Sequence, residues 1–191
     1  MAVYQTISFE LYCKGVFVLR KILKVLLCTL PVLFTNPASA DVEVNFIEGA
    51  PKDRFVITNT GECDLDNVNV IIDLSQSVGK LIFDTTGSGA GVEVFQPFEV
   101  TSGSIKSNNA VKDGETTLDL LIASLLSGET ASFTIDVDDT LQNSDLGNIR
   151  VAGSEMSNGK VTVILQDQSD VSALFNTDNK ATVAIAPCTS Q

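Results

Sequence analysis

The feature that most limits what this chain can fold into is a period-two alternation of apolar and polar residues that returns in one short segment after another. Ala131, Phe133, Ile135 and Val137 alternate with Ser132, Thr134, Asp136 and Asp138. This predicts a strand over 131–137 with the first set facing a core and the second facing water. Val42, Val44 and Phe46 alternate with Asp41, Glu43 and Asn45, and Val68, Val70 and Ile72 with Asn67, Asn69, Ile71 and Asp73. The same reading predicts strands from Arg54 into the turn Asn59-Thr60-Gly61, and at 80–83, 92–95, 116–122, 149–152, 161–165, 172–175 and 181–186. Asp113-Gly114, Ser127-Gly128, Leu146-Gly147 and Asn158-Gly159 mark turns between them. Leu118–Leu126 could also be read as a short amphipathic helical turn, but Asp113-Gly114 and Gly128 bracket it tightly enough to favour a strand. Roughly nine to eleven short strands with no convincing helix predict an all-β antiparallel sandwich or barrel.

Residues 1–40 follow a different pattern. Arg20, Lys21 and Lys24 lead into the apolar run 25–34, and Pro37-Ala38-Ser39-Ala40 follows. That is the order of a signal peptide cut after Ala40. The run is half of the roughly 20 residues that a membrane-crossing helix needs. Cys28 stands inside it rather than at the head of the domain, so neither an anchor nor a lipid attachment is expected. Glu10 and the length of residues 1–15 point to a translation start near Val16. Residues 41–191 are then one exported domain, secreted or periplasmic, with no membrane insertion.

Of the 12 basic and 24 acidic residues, Lys14, Arg20, Lys21, Lys24 and Glu10 fall within residues 1–40, so residues 41–191 carry 8 against 23, a net charge of −15. A field of that sign repels nucleic acid and anionic lipid and attracts cations or basic partners. Only Cys63 and Cys188 remain as thiols after cleavage, and in an oxidising compartment they are expected to form a disulfide. That bridge would be worth about 3–5 kcal/mol in the chain-entropy picture. The chain has no His, which removes a Ser-His-Asp triad, Cys-His nucleophiles and most zinc sites. No catalytic residue is assigned and no enzyme is expected. A paired-carboxylate hydrolase would require two acids converging in one pocket.

Calcium is the cofactor the acidic groupings suit, since it takes hard oxygen ligands. Three groupings stand out: Glu62, Asp64 and Asp66; Asp113 with Glu115; and Asp136, Asp138 and Asp139, the last being the preferred metal site. None follows an EF-hand spacing. Gly87-Ser88-Gly89-Ala90-Gly91 lacks the Lys-Ser/Thr ending and the helix of a phosphate loop, so it reads as a flexible connection, or as an adaptable binding loop at one end of the sandwich. Lys52-Asp53-Arg54 reads as a solvated turn with a surface ion pair.

Two resemblances sharpen these expectations. Phe55–Gly61 followed by Val68–Leu74 looks like the second and third strands of bacterial surface immunoglobulin-like repeats, which implies an immunoglobulin-like β-sandwich. The segments Phe46–Phe55, Gly87–Phe98 and Phe133–Thr140 resemble bacterial proteins similar to the core protein of sponge aggregation factors. That likeness implies extracellular adhesion of a calcium-dependent kind; the chain differs in being one short domain with no repeats and no Asn-x-Ser/Thr sequon. The expected function is a non-enzymatic adhesion or self-association module, its partner a protein, a cell-surface saccharide or a second copy. The alternative is a periplasmic ligand- or partner-binding sandwich with no adhesive role.

Overall fold

The segment with the firmest alternation forms β8 (Thr130–Asp138) at the middle of one sheet. The computed structural model describes residues 40–49, 52–92, 96–144, 146–148 and 150–185. They hold β1 (Ala40–Ile47), β2 (Asp53–Asn59), β3 (Leu65–Asp73), β4 (Ile82–Asp84), β5 (Glu99–Ser102), β6 (Ile105–Ser107), β7 (Thr117–Leu125), β8, a one-turn helix α1 (Gly153–Met156), β9 (Lys160–Ile164), β10 (Asp170–Leu174) and β11 (Lys180–Ile185). One sheet runs β11-β1-β2-β8-β4 with β5 also on β8, the other β10-β9-β3-β7-β6, and the pairings are antiparallel. The chain is therefore an antiparallel β-sandwich, as the alternation requires.

Register explains much of the core. Phe46 opposes Phe55 across β1–β2, and Phe55 opposes Phe133 across β2–β8. Residues directly opposite in an antiparallel pair share a face and touch, so three aromatic rings line up across the sheet, with centroids 5.1 Å apart at both steps. Phe83 and Phe98 extend the row from its far side. Against it lie Val68, Val70 and Ile72 of β3, Leu118, Leu120 and Ile122 of β7, and Val161 and Val163 of β9, all buried. The 118–126 segment is a strand, with Leu118, Leu120 and Ile122 inward at period two.

The Asn-Thr-Gly end of β2 is a staple. Asn59 is fully buried; its Nδ2 donates to the carbonyls of Cys63 (2.7 Å) and Leu125 (3.0 Å), and its Oδ1 accepts from Gly61 N. One side chain thus satisfies backbone groups of the β2–β3 connection and of the end of β7, which would otherwise be left unpaired.

Three expectations are corrected. No strand forms around residues 150–152: Val151 gives its N–H to Glu48 Oε2 rather than to a neighbouring strand, and Glu155 Oε2 takes Ala152 N, which starts the turn of α1. β5 and β6 lie where alternation predicts no strand; each is short, and Gly103, at φ 80°, turns the chain between them from one sheet to the other. Lys52-Asp53-Arg54 is not a solvated turn, because Asp53 opens β2 and points inward with Phe55 and Ile57, while Lys52 pairs with Glu99 at 2.7 Å.

The expected leader falls outside the described residues except for Ala40, whose backbone opens β1, as does the 93–95 part of the predicted strand at 92–95. Among the described residues no helix is long and apolar enough to cross a membrane.

Candidate functional site

Along the C-terminal half of β8, alternation sets Asp136 and Asp138 on the face away from the core, as the sequence predicts. They do not reach water: Asp136 is 6% and Asp138 1% exposed. Pairing with β4 is the first reason. Asp84 opposes Asp136, and Ile82 opposes Asp138, so Asp84 shares the outer face with both aspartates. The second reason is the turn at Asp113-Gly114, held to β4 by Gly114 N on Phe83 O (2.9 Å) and Phe83 N on Glu115 O (2.8 Å). It brings Asp113 beside Asp84.

The glycine-rich segment then closes over these acids. Thr85 N and Ala90 N donate to the two oxygens of Asp113 (3.0 and 2.8 Å), Thr86 N to Asp84 Oδ1 (3.3 Å) and Val92 N to Asp138 Oδ2 (2.6 Å). Its glycines are required by close approach. A Cβ on Gly89 would collide with Asp113 Oδ2, and one on Gly91 with Asp84 Oδ2 and Asp138 Oδ2. The segment is a cradle for carboxylates rather than a plain connection, and it lies at one end of the sandwich.

The carboxyl groups respond differently to this setting. Two backbone N–H groups, from Ala90 and Thr85, hold Asp113 down to about 2. Burial pushes Asp84 up to about 6, helped by its hydrogen bond to Asp113. Burial pushes Asp136 up to about 7, with the charges of Asp138 and Asp84 adding to it, and burial also raises Asp138. Asp84 lies within hydrogen-bonding reach of both Asp113 and Asp138. Two carboxylates can keep such a contact only with a proton or a cation between them. No donor of the protein reaches Asp84 Oδ2 or Asp138 Oδ1, although both are buried.

Of the preferred metal site, then, Asp138 belongs to the cluster and Asp136 flanks it. Asp139 does not join: beyond the strand end it folds back to accept Leu141 N at 3.0 Å, and its Oδ2 is buried without a partner. Among the described residues no group of three or more Asp, Glu, His or Cys side chains forms a ready-made ligand set. The other acidic groupings separate: Glu62, Asp64 and Asp66 are not buried, with Asp64 capping Ser127 N, and Glu115 closes its own turn onto Lys112 N while Asp113 joins Asp84. Sequence reasoning missed Asp84 altogether. Its only local trace is the position at the end of a short apolar strand, directly before the glycine-rich run.

Cys63 is half-buried against the core; Cys188, its expected disulfide partner, lies outside the described residues. A cleft of about 480 Å³ opens between Asn109–Lys112 and Glu115–Asp119. The aspartate cluster is not among its walls.

No protein-family model matches the chain, and no curated protein matches it. Among solved structures, one that matches is the biomass-sensing module of an Rsgi2 protein from Clostridium thermocellum, described as resembling a family 3 carbohydrate-binding module of the cellulosome. The two chains are 11% identical over 74% of this chain and 97% of that one, with a TM-score of 0.34. At that score the likeness carries no argument about what this chain binds.

Proposed function

We propose that the chain is an exported, non-catalytic association module that works through the acidic loop end of its sandwich and depends on calcium to do so. The observation that carries this reading is the convergence of Asp84, Asp113, Asp136 and Asp138 at one end of a domain of charge −15. Two acidic ends cannot approach one another, or an acidic partner, until that charge is neutralised. The resemblance to aggregation-factor core proteins points the same way.

A reaction is not part of the proposal. The acids do converge, but they touch one another beneath a loop and stand outside the cleft, so no substrate bond fits between them as a paired-carboxylate hydrolase requires. A protein partner or a second copy fits better than a saccharide. Residues 41–191 contain neither Trp nor Tyr, and every Phe among the described residues is buried or half-buried, so none of these rings is offered to a sugar face.

The test is light scattering of the purified protein, expressed as the full chain and recovered after export, in about 1 mM calcium, the range of extracellular calcium modules, and then in chelator. Larger particles with calcium that dissolve with chelator are expected. A steady monomer in both conditions overturns the proposal and favours a calcium-independent binding domain, for which the Asn109–Asp119 cleft would be the pocket.

A further inference from the structure

We infer that Asp84 and Asp138, with Asp113 beside them and the 85–92 loop as roof, are the side-chain ligands of a hard divalent cation of calcium size. This rests on the reading that the acidic end is where the module acts, and it replaces the Asp136–Asp139 grouping with residues brought together from β4, β8 and the Asp113 turn.

The case for the site lies in its donors. The loop supplies four N–H groups to the three carboxylates, and they are spent on both oxygens of Asp113, on Asp84 Oδ1 and on Asp138 Oδ2. Asp84 Oδ2 and Asp138 Oδ1 are left with no donor, in side chains that are each 1% exposed. A buried polar atom without a partner is costly, and a buried charge more so. Asp84 Oδ2 moreover stands against Gly91 together with Asp138 Oδ2, the oxygen that takes Val92 N, so close that a Cβ there would collide with both, which brings the two carboxyl groups side by side.

No ion pair among the described residues reaches Asp84 or Asp138: those present join Lys52 to Glu99, Lys112 to Glu115, Arg150 to Glu48 and Lys180 to Glu43. What remains is a small, all-oxygen, anionic setting beneath the loop. Calcium accepts such ligands in sixes to eights with flexible geometry, and water can complete the set. Because only two carboxyls of the cluster carry an orphaned oxygen, the site differs from a closed cage of three or more acids, and an affinity in the range of extracellular modules, about 0.1–1 mM, is expected.

The test is calorimetric titration of calcium chloride into chelator-treated protein, beside thermal melts followed by circular dichroism. Wild type is expected to take up one calcium and to melt higher with it. Asp84→Asn and Asp138→Asn keep the shape and remove a repelling charge, so both fold; each is expected to weaken binding by roughly tenfold or more, the least that even outer-shell changes do to metal sites. Asp64→Asn, on a loop away from the cluster, leaves binding unchanged. Wild-type affinity retained in both cluster variants, or no heat and no melting shift in wild type at about 10 mM calcium, well above that range, overturns the inference and leaves a shared proton as the bridge. Calcium uptake by a protein that stays monomeric upholds this site while sinking the association reading, and association without calcium uptake overturns this site and the calcium dependence of the association reading together.

Discussion

Replacing Asp53 with asparagine should flatten the dependence of stability on pH. The side chain is 1% exposed and points with Phe55 toward the interior, and its two oxygens accept Gly49 N (3.1 Å) and Val137 N (2.9 Å). Burial raises its pKa from 3.8 to about 8; the charges of Glu48 and Asp136 push the same way, and the two N–H groups push back. Between those values the folded protein holds a proton that the unfolded chain has released. The stabilisation is therefore complete below about pH 4, declines as pH rises, and is gone above about pH 8. Taken alone, the gap corresponds to roughly 6 kcal/mol, a ceiling because Asp53 titrates together with its neighbours. Asparagine is neutral at every pH, but its NH2 must face one of the two backbone N–H groups, a loss of about 1–3 kcal/mol. Urea unfolding in chelator, followed by circular dichroism because residues 41–191 lack Trp and Tyr, should show wild type losing several kcal/mol between about pH 5 and pH 8.5. The variant should start lower at pH 5, fall less, and meet wild type near pH 8.5. Parallel curves for the two proteins would refute the assignment of a buried, proton-holding Asp53.

Further expectations come from the same packing. Phe133→Ala removes the ring that stacks on Phe55 at 12° and touches Phe98, and should lower stability by about 3–5 kcal/mol with the urea slope unchanged. Asn59→Ala strands the amide of Gly61 and the carbonyls of Cys63 and Leu125, a loss of about 1–3 kcal/mol in the same assay. Non-reducing peptide mapping should join the Cys63 and Cys188 peptides, and Cys63→Ser should lower stability by about 2–5 kcal/mol; a Cys188 that alkylates freely would contradict the pairing. Intact mass of the exported protein should begin at Asp41, and a mass that retains residues 16–40 would contradict the leader.

How much of the fold is legible in the sequence depends on the range of each interaction. Alternation is local, so β1, β3, β7, β8, β9 and β11 can be read from residues two apart, including which side of β8 carries Phe133 and which carries Asp136. Strands of three or four residues, such as β5 and β6, give too few alternations to be seen, and they exist because β8 and β7 offer them an edge.

Alternation also says which face of a sheet a residue occupies without saying what covers that face. It places Asp136 and Asp138 rightly on the outer face and wrongly in water, since their cover comes from β4, the Asp113 turn and the loop whose Val92 reaches Asp138 across 46 residues. Asp53 illustrates the same limit from the other side: flanked by Lys52 and Arg54 it reads as surface, yet it opens β2 two residues before Phe55 and shares that residue's inward face. The acids that matter are thus those whose neighbours are distant in the chain. A further trace of them in the sequence is indirect: Gly89 and Gly91 are glycines because carboxylates from elsewhere occupy the space a side chain would fill.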